Sequence, residues 1–229
     1  MQEVRHEYRE ELRTLEDQTL GGLDMVLSQL DRALEAISYQ DVELAGMVAA
    51  DDDRLDGRYL EVHQGVLSLL ARQAPVADDL RLVAALLHVI RCVERMGDQC
   101  VNIATLVPLS GNEAPKDKDI LDLIERMGVL ARTQVAQARD AFKMRHVSLA
   151  RDLVAQDAEV NRLNRAIFQL AVDAGDDPEL REWAMFMILV ARCLERIGDN
   201  TVDIAEQVVF VVTGLFRELD AEQVGSAGQ

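Results

Sequence analysis

The clearest hydrophobic pattern lies near the start of the chain, where apolar residues recur at the three- and four-residue spacings of an α-helix. The residues of this stripe are Leu12, Leu15, Leu23, Val26, Leu30, Leu34 and Ile37. The segment SYQD ends the stripe, and its last residue, Asp41, is of a type that caps helix N-termini. The pattern predicts one long helix, a second helix from Asp41 to about Arg72, and a third that ends near Pro108.

The later part of the chain shows the same plan. A helix is predicted at about 118–144, and Ser148 is the predicted cap of the next helix, which ends near Val172. Asp177 followed by Pro178 is a typical helix start, because proline fits the first turn without losing a hydrogen bond. A last long helix follows.

The boundary between the two halves is predicted in the polar segment 110–118, which reads SGNEAPKDK. We expect a first three-helix repeat at 1–110, a second at 115–218, and a frayed tail at 219–229.

Two eleven-residue segments in these halves share seven identical positions. Residues 94–104 read ERMGDQCVNIA and residues 195–205 read ERIGDNTVDIA. An earlier pair also aligns, with ADDDRLD at 50–56 and AQDAEVN at 155–161. The duplication predicts an all-α fold of two tandem three-helix bundles.

The chain is strongly acidic, with 41 acidic and 24 basic residues and a formal net charge of −17. Such a chain repels nucleic acid and anionic lipid, and it attracts cations and basic protein surfaces. No run approaches the roughly 18 apolar residues of a membrane span, and the start has no apolar signal segment. We therefore expect a cytoplasmic protein without nucleic-acid partners.

The cysteines show no disulfide pattern. Cys92 and Cys193 occupy equivalent repeat positions beside apolar residues, so we expect them to be small buried side chains in a reducing compartment. His88 is expected to be structural, because a lone helical histidine is more often structural than a ligand.

The repeated segments carry rows of oxygen donors at a four-residue spacing. The rows are Glu94, Asp98 and Asn102, then Glu195, Asp199 and Asp203. On a helix each row spans roughly 12 Å along one face. Like charges four residues apart repel, and a bound divalent or ferric cation would offset that repulsion. Asp52, Asp56 and Asp157 on the preceding helices are further candidate ligands.

A solvated acidic face is the alternative interpretation. Arg95 lies three residues before Asp98, and Arg196 lies three residues before Asp199, so each aspartate has a possible helical ion-pair partner. The spacing alone leaves both interpretations open.

The doubled E-R-x-G-D-x-x-x-[ND]-I motif, with DLRLV at 79–83, resembles the PhoU family over nearly the whole chain. The resemblance implies two three-helix bundles, frequent homodimers, and multinuclear iron or zinc clusters in some members; other divalent ions such as Mn or Mg also suit the donors. Carried over, the implied metal ligands are Glu94, Asp98, Asn102, Glu195, Asp199, Asp203, Asp52, Asp56 and Asp157. Asn161 stands where the family pattern has another carboxylate, so equal occupancy of the two halves is not expected.

The resemblance also implies a regulator of phosphate uptake and of the phosphate-starvation response. It would link the ATPase of a phosphate ABC transporter to a sensor histidine kinase. We expect no enzyme activity and assign no catalytic residue, because no nucleophile motif or phosphate loop is present. Two alternatives remain: a carboxylate-bridged multinuclear metal enzyme, such as a phosphatase or an oxidase, and a purely structural helical module.

Overall fold

The computed structural model describes residues 2–72, 75, 77–110, 116–216 and 218–219, and these residues form helices without any strand. The elements are α1 (Gln2–Tyr39), α2 (Val42–Ala50), α3 (Asp52–Arg72), α4 (Ala77–Leu106), a short 3-10 helix (Pro108–Ser110), α5 (Lys118–Met144), α6 (Val147–Val172) and α7 (Pro178–Thr213). The predicted all-α fold is confirmed. None of the described helices has the length and apolar character needed to cross a membrane.

The apolar stripe of α1 forms the centre of the first half. Leu23, Val26 and Leu30 are fully buried, and α1 packs against α2, α3 and α4. Burial of one such side chain stabilises the fold by about 1.5–3 kcal/mol, so the stripe fixes which face of α1 points inward.

The predicted single helix from Asp41 to Arg72 is wrong, because the chain breaks at Asp51 into α2 and α3. The Asp51 amide still donates to the Met47 carbonyl, which completes α2. Its carboxylate accepts a charged hydrogen bond from Arg32 of α1 at 2.7 Å. A contact with another helix therefore accompanies the break, and the local pattern gave no sign of it.

Two of the three predicted helix caps are confirmed. The carboxylate of Asp41 accepts from the Leu44 amide at 2.9 Å, and that of Asp177 accepts from the Glu179 amide at 3.0 Å. The cap predicted at Ser148 is wrong, since α6 already begins at Val147. There His146 is the cap, and its Nδ1 accepts from the Leu149 amide at 3.3 Å.

The two halves meet along α4 with α7 and along α1 with α5. Arg132 and Arg139 of α5 bind Asp31 and Asp24 of α1 at 2.6 and 2.7 Å. The segment 111–115 of the predicted boundary and residues 220–229 of the predicted tail lie outside the described residues. The predicted repeat limits therefore stay predictions.

Candidate functional site

Four predicted ligands come together between α3 and α4, and we call them the first-half cluster: Asp52, Asp56, Glu94 and Asp98. Burial raises the pKa of Asp52, and the charges of Asp56 and Asp98 raise it further. Burial likewise raises the pKa of Glu94, with Asp98 and Asp56 adding to the rise. The carboxylates are thus close enough to repel one another, as ligands of a shared cation would be in its absence.

Arg95 does not neutralise Asp98 in the way that the solvated-face interpretation required. The pKa of Asp98 is raised by burial and by the charge of Asp56, and no arginine opposes that rise. Arg91 and Arg95 lower the pKa of Glu94 only as the smaller contributions. Asp56 and Asp98 are exposed, so solvent can also offset the repulsion within the first-half cluster, and a bound cation stays a prediction.

The second-half cluster contains Asp157, Asn161, Glu195 and Asp199. Asn161 Nδ2 donates to Asp157 Oδ2 at 2.7 Å, so an amide stands against the carboxylate where the first half has Asp56. Burial raises the pKa of Asp157 and the charge of Asp199 adds to the rise, while the Asn161 hydrogen bond opposes it. Asp157 Oδ1 is buried and has no hydrogen-bond partner among the described residues.

Arginines reduce the negative charge of the second-half cluster. Glu195 is only 9% exposed and forms an ion pair with Arg192 one turn earlier. Burial raises the pKa of Asp199, the charge of Arg192 lowers it, the charge of Asp203 raises it and that of Arg196 lowers it. The two clusters therefore differ in chemistry: arginines and an amide act on the second, and carboxylates alone act on Asp98 in the first.

The third residue of each predicted row turns toward the other half. Asn102 is exposed and lines a cavity with Leu189 and Cys193 of α7. Asp203 lies beside His88 and Cys92 of α4, and the donor atoms of these three residues are all within 4.8 Å of one another. Among the described residues, this is the only group of three histidine, cysteine or acidic side chains with donors so close. Sequence spacing could not reveal it, because the donors lie on two helices.

Two buried glutamines are also absent from the sequence prediction. Gln29 on α1 and Gln134 on α5 are 2% and 0% exposed, and their side-chain amides lack hydrogen-bond partners among the described residues. Each lies near a glycine of the repeated motif: a Cβ at Gly97 would be 3.4 Å from Gln29 Oε1, and one at Gly198 would be 3.3 Å from Gln134 Oε1. Gln29 precedes Asp52 by the same number of residues as Gln134 precedes Asp157, and this repetition in the sequence could have indicated both glutamines.

Gly198 also gives room to the second-half cluster. A Cβ there would lie 2.9 Å from Asp157 Oδ1, closer than ordinary packing allows. Glycine in a helix interior costs about 1 kcal/mol relative to alanine. Here its small size lets the Asp157 carboxylate approach the backbone of α7.

Both clusters offer hard oxygen donors, of which Asp56, Asp98 and Asp199 are exposed and the others are partly or fully buried. Such donors suit divalent or ferric cations, and a cation would relieve the mutual repulsion and satisfy the unpartnered Asp157 oxygen. The described residues of the clusters offer no histidine to assist a hydrolytic or redox step.

Comparison with known proteins gives a consistent family relationship. A sequence model of the PhoU domain matches residues 22–107 and again residues 124–208. The chain is 34% identical over 210 residues to the phosphate-specific transport system accessory protein PhoU homolog of Caulobacter vibrioides, covering 90% of each chain. It is 29% identical to the homolog of the same name from Clostridium acetobutylicum, covering 90% of this chain and 94% of that one.

Solved structures agree in fold. The crystal structure of the phosphate transport system regulatory protein PhoU from Streptococcus pneumoniae matches with a TM-score of 0.85 and 26% identity, covering 93% of this chain and 100% of that one. PhoU from Pseudomonas aeruginosa matches with a TM-score of 0.83 and 27% identity, covering 91% and 100%. These relatives are named accessory or regulatory proteins and not enzymes, in agreement with the sequence prediction. By its doubled domain and its fold, the chain belongs to the PhoU family.

Proposed function

We propose that the chain is a cytoplasmic regulator of phosphate uptake and of the phosphate-starvation response. It acts as an adaptor between the ATPase of a phosphate ABC transporter and the sensor histidine kinase of the phosphate regulon. The observation that carries this proposal is the doubled PhoU domain, in a chain that aligns over 90% of its length with accessory proteins of phosphate-specific transport.

The surface charge supports a protein-binding role. A net charge of −17 favours basic surfaces on partner proteins, and complementary charge speeds their encounter and fixes their orientation. The proposal includes a homodimer, as the family resemblance implies, which light scattering of the purified protein would detect at twice the chain mass.

The proposal also includes metal ions on the two carboxylate clusters. Asp52, Asp56, Glu94 and Asp98 would hold iron or zinc in the first half. In the second half the ligands would be Asp157, Glu195 and Asp199. The mutual repulsion of the first-half carboxylates supports this assignment, and so does the buried Asp157 oxygen that lacks a partner. The bound cations would reduce the negative charge of these faces and so change their electrostatic attraction to partner proteins.

A binding experiment with purified components tests the adaptor role. The immobilised chain is incubated with the transporter ATPase and, separately, with the cytoplasmic part of the sensor kinase, each with and without phosphate. We expect retention of both partners, weakened by salt because the surfaces are charged. Retention of neither partner would refute the adaptor role.

Elemental analysis tests the metal assignment. Asp98→Ala should remove the metal of the first-half cluster, and Asp199→Ala that of the second. Because Asn161 and Arg192 reduce the charge of the second-half cluster, we expect the first-half metal to survive dialysis against a weak chelator for longer. Metal content unchanged by both substitutions would show that the ions lie elsewhere.

A further inference from the structure

A histidine, a cysteine and an aspartate meet where α4 of the first half packs against α7 of the second. His88 and Cys92 are one turn apart on α4, and Asp203 reaches them from α7, with all three donors within 4.8 Å of one another. We call this group the interhelix triad. His88 is exposed and Asp203 is partly exposed, so neither is held in place by core packing.

The Cys92 thiol lies at the inner end of the triad and is only 1% exposed. Its sulfur lies within 4.8 Å of donor atoms of His88 and Asp203. Without a cation the thiol stays protonated and can donate only a weak hydrogen bond. A metal ion would displace this proton to solvent and bind the thiolate.

The donor set fits zinc. Zinc takes cysteine sulfur, histidine nitrogen and carboxylate oxygen in tetrahedral geometry, with bonds of about 2.0–2.3 Å and hence donors about 3.3–3.8 Å apart. The triad is already near that spacing, and rotation of the exposed His88 side chain and the partly exposed Asp203 side chain would close the difference. One thiolate and one carboxylate balance the charge of a zinc ion.

Glu206 is the next acidic residue after Asp203 on α7, and its Oε1 accepts a hydrogen bond from the Leu219 amide at 3.0 Å. It lies three residues after Asp203, on the same face of α7. Burial raises the pKa of Glu206, a hydrogen bond from the Leu219 amide lowers it, Asp203 raises it and His88 lowers it. Glu206 is not part of the group of donors within 4.8 Å, so a water molecule would fill the fourth position.

The internal repeat provides a comparison within the same chain. A shift of 101 residues relates His88 to Leu189, Cys92 to Cys193 and Asp203 to Asn102. The three counterparts line one cavity on the opposite side of the α4–α7 contact, together with Arg192 and Arg196. That side keeps the buried cysteine but has leucine, an amide and two positive charges in place of the other ligands. The metal-binding residue types are thus present on one side only.

We propose that His88, Cys92 and Asp203 form a zinc site that joins α4 to α7. Asp203 is also a member of the predicted row with Glu195 and Asp199, so the new ligands of this site are His88 and Cys92. Since α4 and α7 belong to different halves, the bound ion would fasten the first half to the second.

Cobalt is the direct probe of this site. Titration of the metal-free chain with Co²⁺ should give intense tetrahedral bands and a sulfur-to-cobalt charge-transfer band whose final intensity matches one cobalt–thiolate bond per chain. Zn²⁺ should displace this band. His88→Leu and Asp203→Asn each introduce the residue found at the equivalent position of the other repeat. Each should weaken Co²⁺ binding by more than ~10–100-fold, which is the loss expected when a metal ligand loses only its outer hydrogen-bond partner. Cys92→Ser should abolish the charge-transfer band.

Cys193→Ser is the matched control and should leave the charge-transfer band intact. Asp152→Asn, on an exposed part of α6, is a second control, because it removes one carboxylate that belongs neither to the triad nor to the carboxylate clusters. His88→Leu and Asp203→Asn alter exposed or partly exposed side chains, so they test the site even if Cys92→Ser disturbs packing. A wild-type chain without the charge-transfer band would overturn the proposal, as would a band that Cys193→Ser removes or that His88→Leu and Asp203→Asn leave unchanged.

Discussion

At the scale of single residues, the two copies of the repeated motif differ in how their carboxylates are neutralised. Asp98 faces other carboxylates without arginine support, whereas the buried Glu195 is paired with Arg192. The sequence correctly indicated unequal halves through Asn161. It could not show which arginine reaches which carboxylate, because that depends on side-chain direction.

Asp98→Asn should stabilise the metal-free protein at pH 7 by about 0.3–1 kcal/mol, since it removes like-charge repulsion in the first-half cluster. The pKa of Asp98 is raised above 3.8 in the folded chain. Its carboxylate therefore costs stability above the raised pKa, and the cost disappears as pH falls below 3.8, where both states are protonated. Urea unfolding of both proteins across this pH range measures the difference. Asp152→Asn, on an exposed part of α6, controls for the loss of one charge; an equal gain there would contradict the cluster repulsion.

Arg192→Ala should destabilise the protein by about 1 kcal/mol, between the effects of exposed and buried ion pairs. The reason is that Glu195 would remain buried without its partner, while Arg192 itself is 53% exposed. Arg91→Ala is the equivalent change in the first half, where Glu94 is less buried, and it should cost less than half as much. Thermal unfolding of both variants is the measurement, and equal losses would show that the two motifs are neutralised alike.

At the scale of helices, the local signals predicted helix starts more reliably than helix continuity. Asp41 and Asp177 cap the helices that they were predicted to cap, since a cap bonds within its own turn. The break at Asp51 was missed because it coincides with a contact to Arg32 on another helix. The cap at His146 was not predicted, since histidine is an uncommon cap.

Asp177→Ala should lower the free energy of unfolding by about 1 kcal/mol, because the Glu179 amide would lose its cap at the start of α7. Asp176→Ala removes a neighbouring exposed carboxylate that is not the cap, so it should cost only a few tenths of a kcal/mol. Chemical denaturation of the two variants separates capping from the general effect of negative charge near a helix start. Indistinguishable midpoints would argue against the cap.

At the scale of the whole molecule, the duplicated sequence predicted two helical bundles but not how they meet. Periodicity shows which face of a helix is buried, and it does not show which helix covers that face. Consequently α4 and α7, which carry the repeated motifs, were not expected to bring His88 and Cys92 to Asp203. The carboxylates within each half could be predicted as candidate ligands, because their spacing and their repetition are local.

The central claim, a regulator of the phosphate-starvation response, is tested most directly in cells that lack the gene. A reporter driven by a phosphate-starvation promoter is measured during growth in plentiful phosphate. We predict that the deletion turns the reporter on and that the wild-type gene, supplied in trans, turns it off again. A reporter that stays repressed in the deletion strain would contradict the account.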